Sequence, residues 1–477
     1  MLFWIVIVLI TCWMALKYLP AGWDQYRPLP EVIALIPLLV VPLVLLLPAT
    51  GFTGNWPQFG VTVVLLLVQV AWQIGYVAPI PSALSPILGV PVQTLPVDGE
   101  YADSSFADEA GASSEDSAES ADDYPQTSSA SPQAVDDDAD SVEAADLKSA
   151  ASTDDHHTIR VMTLNTRYGR ADTGTIMHLV KQENIDILAV QEVNTAFIKR
   201  LDISHIGDEL PYRVLGAVRD DDNAGSNALF MRLKPAIFGD SSVNISAAAA
   251  PVATVRIGDQ CVEFSSVHPK SPPRSGKDWS DGVRALGQFA LRADSRNEEG
   301  FNCCADDDAN TDDASIVANG STDSDDVTPN ADLLAGLPPE LADIITRGMK
   351  DDSDEDSSNA EPTPDVTETA VIELPDFSEP DRGPVPHHAA VVMGDMNSSI
   401  YHPSFRDALR QGSGLADSSF ELHAGFNTTF PASWPTFPSL IEIDHVLHTQ
   451  GIRAVSAHAY TVPKTDHKAL VVELEVA

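Results

Sequence analysis

Between Val391 and Ser399 the chain reads VVMGDMNSS, which sets a carboxylate and a carboxamide two residues apart at the end of an apolar run. Along an extended chain residues i and i+2 point the same way. Asp395 and Asn397 can therefore face one reacting centre while Met396 turns back into a core, and Gly394 lets the backbone approach closely. A carboxylate so placed can hold or deprotonate a water, and an amide N–H can stabilise a developing anion. A plain turn after a buried strand has the same composition. The pair gains chemical meaning only with partners.

Partners recur at the ends of other predicted strands. Asn165 closes IRVMTLN (159–165), Glu192 lies near the end of IDILAVQEV (185–193), and His268 closes 260–268. Asp444 and His445 lie in 441–448, and Asp466 and His467 precede the strand at 469–476. Singly each has a bland reading: Asn165 caps a turn, Glu192 caps a helix beginning near Asn194, and a lone histidine is satisfied at a surface. Six such sets, nearly all at strand termini, are read here as one convergent site.

The elements that must position them follow from periodicity. The catalytic region opens strand, helix, strand, with the helix over Thr173–Gln182; further strands fall at 212–216, 226–232 and 250–257. An amphipathic helix is predicted over Trp279–Ala293 through Val283, Leu286, Phe289 and Ala290. After the strand at Ala389–Met393 come a helix at 403–410, a Trp/Pro/Phe-rich loop at 429–440 and strands at 441–448, 452–460 and 469–476.

Charge divides the chain. The formal net charge is −42, of which residues 100–157 supply −16 and residues 294–382 supply −22, so the remainder is close to neutral. Both acidic stretches are rich in Asp and Ser and poor in large apolar residues, and too little surface can be buried there to offset the entropy of ordering. They are expected to be a disordered linker (81–157) and a disordered insertion (294–385) in a catalytic domain spanning 158–477. Ahead of them, Leu2–Leu19, Val32–Thr50 and Phe59–Val77 are apolar runs of about bilayer length, predicting a three-helix membrane anchor over residues 1–80. Lys17 and Arg27 in the first loop favour a cytoplasmic loop there. Cys12, Cys261, Cys303 and Cys304 make neither a disulfide framework nor a zinc site by spacing, and the redox compartment cannot be read from them.

TLN (163–165), QE (191–192), SVHP (266–269), GDMN (394–397), IDHVL (443–447) and TDHKALV (465–471) follow one another in an order and spacing that resemble the endonuclease/exonuclease/phosphatase superfamily. The N-terminal apolar runs are further similar to its membrane-anchored bacterial branch, which includes proteins linked to glycopeptide-antibiotic resistance. The resemblance implies an α/β (α+β) fold, a four-layered sandwich of two mixed β-sheets flanked by helices, here preceded by three transmembrane helices. It implies a divalent cofactor, Mg2+ or Mn2+, and hydrolysis of a phosphate ester. The implied metal ligands are Asn165, Glu192 and Asp466; the implied catalytic residues are His268, Asp395, Asn397, Asp444 and His467, with Asp444 orienting His467. Thr465 stands where the family more often has Ser, and Met231–Arg232 stands where a Ser-Arg pair is common.

The expected function is thus a multi-pass, membrane-anchored phosphoesterase, its catalytic domain extracytoplasmic and its substrate a phosphate ester or pyrophosphate, lipid-linked in the reading that suits a site near the bilayer. The alternatives are an anchored nuclease and a non-catalytic anchored binding protein. No basic stripe marks the folded part, which argues against nucleic acid as partner.

Overall fold

The computed structural model describes residues 1–79, 157–217, 225–303, 387–433 and 438–477. The expected acidic linker (81–157) therefore lies outside the described residues except for His157, and so does the expected insertion from residue 304 to 385. In chain order the first six strands are β1 (His157–Asn165), β2 (Ile187–Val193), β3 (Tyr212–Leu215), β4 (Ser226–Met231), β5 (Ile237–Asp240) and β6 (Pro251–Ile257). The next six are β7 (Gln260–Val267), β8 (His387–Asp395), β9 (Ala416–Asp417), β10 (Asp444–His448), β11 (Ile452–Thr461) and β12 (Lys468–Val476).

They form two six-stranded sheets, ordered β11-β12-β1-β2-β4-β3 and β5-β6-β7-β8-β10-β9. Alternation in β1 shows how the layers arise. Ile159 and Val161 point into the core between the sheets, beside Phe264, Val391, Met393 and Val472. Met162 and Leu164 point the other way, onto helices Thr173–Gln182 and Thr195–Ile203. A third cluster covers the outer face of the second sheet, where Val392, Trp279, Phe289 and Phe405 meet.

In each sheet the central pair is parallel, β1 with β2 and β7 with β8, and the remaining pairs are antiparallel. The parallel strands end at Asn165, near Glu192, just before His268 and at Asp395. Their antiparallel neighbours begin where these end, so Asp444 pairs with Asp395, and Leu470, three residues after His467, pairs with Thr163. The topology alone delivers the polar residues to one end of the sandwich.

Three expectations change. Only one N-terminal helix, Trp56–Tyr76 (21 residues, mean hydropathy 1.7), is long and apolar enough to cross a membrane. The first run is helical over Leu2–Ala15 before a 3-10 turn, and the second is broken into Leu29–Ala34, a 3-10 turn and Val40–Phe52. Pro37 and Pro42 lack the N–H that a continuous helix needs, which accounts for the break. The predicted helix at 279–293 is two helices, Gly276–Ala285 and Gln288–Glu299, parted at Leu286–Gly287. Order also continues past the expected boundary at Asp294. That carboxylate accepts the Ser413 N–H at 2.7 Å, and Cys303 forms a disulfide with Cys261 of β7. The disulfide was hidden in the sequence because 42 residues separate its halves and an adjacent cysteine masks the pairing.

The N-terminal helices do not stand apart from the sandwich. Ile10, Met14, Ile33, Ile36, Leu43 and Trp72 belong to the same apolar cluster as Trp279 and Phe405.

Candidate active site

A cavity of about 410 Å3 opens at the end of the sandwich where the parallel strands stop, with Asn165, Glu192, His268, Asp395, Asn397 and His467 among its lining residues. Asp395 is central. Its Oδ2 lies 3.0 Å from Asn165 Nδ2, 3.5 Å from His268 Nε2 and 3.6 Å from His467 Nε2, while its Oδ1 accepts the Asn397 N–H at 2.8 Å. Gly394 makes this turn feasible: it has φ 154°, and a Cβ there would overlap the Val267 carbonyl.

Glu192 reaches the site through an irregularity. The β2–β4 register shifts between Val190 and Val193, and Glu192 within the bulge has φ 55°. A bulge redirects a side chain that strict alternation would send elsewhere. Gly225 permits it, since a Cβ there would lie 2.8 Å from the Glu192 carbonyl carbon. Glu192 Oε1 accepts from Asn165 Nδ2 at 3.2 Å and Oε2 from the Tyr168 N–H at 2.9 Å. Arg167, Tyr168, Glu192 and Asn397 all have left-handed backbone without being glycine, and all line this cavity. Such strain persists only where the surroundings enforce it, and it clusters at working sites.

His467 is held from behind by Asp444, with Nδ1 2.8 Å from Oδ2. Nδ1 is thereby the donor, and Nε2 faces Asp395 and the cavity. Burial opposes a charge on His467, yet the Asp444 and Asp395 carboxylates outweigh it and lift the imidazole up to about 10. Burial likewise opposes ionisation of Asp395, but His467 and His268 hold its carboxyl below the usual carboxylate range. For His268 too, burial is outweighed, by Asp395 and Glu192, and its pKa is raised.

The structure thus brings all eight sequence-predicted residues to one end of the fold. Asp466 lies at the rim, 3.5 Å from Arg167 Nε, and Asp444 sits behind His467 rather than in the cavity lining. His445 points the opposite way, to Asp417 (2.6 Å) and the Ser398 carbonyl (2.9 Å). Arg232 pairs with Asp186 and Glu209, outside the cavity lining. Sequence reasoning missed the rim residues Arg167, Tyr168, Lys270 and Arg274, and Trp279, whose Nε1 donates to the Asn397 carbonyl at 3.0 Å. The four rim residues had one signal, their position in the loops after β1 and β7, whereas Trp279 lies in the helix Gly276–Ala285.

Two carboxylates, Glu192 and Asp395, converge on the donor Nδ2 of Asn165, whose oxygen accepts the Arg167 N–H, so hard oxygen ligands gather around a group of positive character as they would around a cation. Asp395, Asp444 and His467 also bring ligand atoms within 4.8 Å of one another, but there the protonated His467 is itself the cation between the carboxylates. The oxygens of Glu192 and Asp395 are the donor set that fits a divalent ion.

Fold and site together define a hydrolase of phosphoric esters. The chain belongs to the Endonuclease/Exonuclease/phosphatase family, whose model matches residues 162–467. No curated protein sequence matches it. Among solved structures it is similar to a family protein from Bacteroides thetaiotaomicron (14% identity, TM-score 0.39, covering 68% of this chain and 99% of that one). It is also similar to a D. rerio TDP2 humanised by 14 mutations (9%, TM-score 0.39, 66% and 98%) and to a mannosyl-6-phosphatase of B. thetaiotaomicron (14%, TM-score 0.37, 66% and 99%).

Proposed function

We propose that this protein is a membrane-anchored, divalent-metal-dependent phosphoesterase acting on a phosphate monoester or diphosphate presented at a lipid surface. The observation that carries the reading is Asp395 set between two imidazoles, one of them backed by a buried carboxylate. Asp395, kept ionised, accepts a hydrogen bond from the attacking water and aligns it. His467, charged at neutral pH, donates from Nε2 to a phosphoryl oxygen as charge grows there, with Asp444 preventing loss of the proton from Nδ1. His268 and the Asn397 carboxamide are further donors. Glu192, Asn165 and Asp395, with Asp466 at the rim, would hold Mg2+ or Mn2+, which when bound polarises the phosphoryl group and neutralises its charge.

Anchoring is supported by the Trp56–Tyr76 helix and by exposed Leu2, Val8, Val41, Leu45 and Leu67, an apolar surface that water alone does not favour. A catalytic domain outside the cytoplasm is supported by the Cys261–Cys303 disulfide, which persists in oxidising compartments. Nucleic acid suits the cavity rim poorly. Arg167 and Lys270 are neutralised by Asp466 and Asp278, which leaves Arg274 beside the Tyr168 hydroxyl. The test is metal-dependent phosphate release by the full chain in detergent, offered an isoprenyl diphosphate, a sugar phosphate and a plasmid in parallel. Release from the lipid, abolished by Asp395→Ala and His467→Ala, is expected; nicking of the plasmid alone would replace this reading with a nuclease.

A further inference from the structure

The helix that follows the catalytic turn lacks a cap of its own. Helix Pro403–Ala408 begins after His402, whose side chain makes no cap bond. The Ser404 N–H is met instead by Asp24, 380 residues earlier in the chain, at 2.9 Å, and the Ser404 hydroxyl gives the same carboxylate a second bond at 2.5 Å. Asp24 is 0% exposed. The Gly22 N–H adds a bond to Ser404 Oγ at 3.1 Å.

The neighbouring residues are held in the same way. His402 Nδ1 accepts the Ser399 N–H at 3.0 Å, so Nε2 carries the proton and reaches the Pro30 carbonyl at 2.9 Å. His402 and Trp279 meet edge to face, centroids 5.3 Å apart, and Trp279 is the residue that grips the Asn397 carbonyl. Arg406 donates to the Lys17 carbonyl. On the far flank Tyr76 packs on Phe420 and Phe426, its carbonyl accepts the Gly425 N–H at 2.7 Å, and His423 bonds to the Gly75 carbonyl.

We propose that residues 1–79 are a positioning part of the active site, with Asp24 the key positioning residue: the Asp395–Asn397 turn takes its catalytic shape only while the N-terminal helices are docked. The inference rests on the phosphoesterase reading. It goes beyond anchoring, because an anchor alone needs no buried carboxylate reaching into the catalytic domain. A misplacement of about 1 Å at such a turn costs on the order of a hundredfold in rate.

The test uses the full chain in detergent and whichever phosphate ester the wild type hydrolyses fastest. Asp24→Ala removes the cap. Gly276→Ala wedges the interface from the other side, since a Cβ at Gly276 would overlap the Gln25 carbonyl while alanine suits the helix that starts there. Both are expected to lower kcat at least tenfold per folded molecule with KM within twofold. Asp24→Asn, which keeps an acceptor for the Ser404 N–H, should recover most of the loss. Unchanged kcat in both disrupting variants would overturn the proposal, as would losses explained wholly by a smaller folded fraction. A wild type that hydrolyses nothing would overturn the phosphoesterase reading and this inference with it; an active wild type with indifferent variants would overturn this inference alone.

Discussion

His467 and Asp395 form a buried pair whose charges sustain each other, and each residue's part in the proposed reaction follows from that. Replacing His467 by Asn keeps the size but loses the cation, and kcat is expected to fall by about 10^2–10^4 with little change in circular dichroism. Trp279→Phe keeps the apolar body and removes only the donor to Asn397. A hydrogen bond of net worth about 1 kcal/mol should cost roughly fivefold to tenfold in kcat, with KM steady. A drop in the affinity for substrate instead would place Trp279 in binding rather than in shaping the turn. These roles were unequally legible. Asp395 and His467 announced themselves by type and by position at strand ends. Trp279 looked like core, which by burial it is, and only the fold reveals that its one polar atom faces the turn.

At the scale of elements, the start of β10 shows what alternation does. Asp444 turns toward His467, and His445, one residue on, turns into a buried cluster with Asp417 and Glu442. Burial, then Asp417, lifts the Glu442 carboxyl up to about 8, whereas His445 is lifted to about 9 by Asp417 against the effect of burial. Unfolded, the two groups titrate near their ordinary values of about 4.3 and 6.5. The folded chain therefore binds more protons across the window between, and stability must fall as pH rises from about 5 toward 9. Thermal midpoints across that range should decline, and Glu442→Gln should postpone the decline to above about pH 6.5, where the raised histidines, His445 and His467 among them, lose the stability their protons supply. A curve unaltered by the substitution would show that Glu442 does not hold its proton. The sequence foretold β10 but not Asp417, because β9 is two residues long and carries no periodic signal. The broken second apolar run was legible in principle from its prolines, but bilayer-length hydrophobicity is the same for one proline-kinked span as for two short helices.

For the whole molecule, the docked N-terminal helices change what counts as a domain. A fragment beginning at residue 157 would uncover Trp279, Phe405 and Phe420, which share their apolar cluster with Ile10, Ile33 and Trp72. No local pattern in the sequence could have joined Asp24 to Ser404; that contact is a property of the assembled chain. The disulfide acts at the same scale. Cys261→Ser with Cys303→Ser should destabilise by about 2–4 kcal/mol, read as a lowered thermal midpoint that reductant reproduces in the wild type. An equal midpoint with and without reductant would mean that the bond does not form.

Cys303, where the acidic segment leaves, is bonded to Cys261, and Cys261 lies in register with His388, where the chain returns. Asn297 closes the gap further, donating to the His388 carbonyl at 3.0 Å and accepting its N–H at 2.6 Å. Exit and re-entry therefore share one doorway at the starting end of the central strand pair β7 and β8. A short turn in place of residues 305–385 should leave the unfolding transition cooperative and its midpoint within a few degrees, and a broadened transition would count against it. The same doorway is where a reporter domain with closely spaced termini could be grafted, at a point the catalytic end of the sandwich does not share.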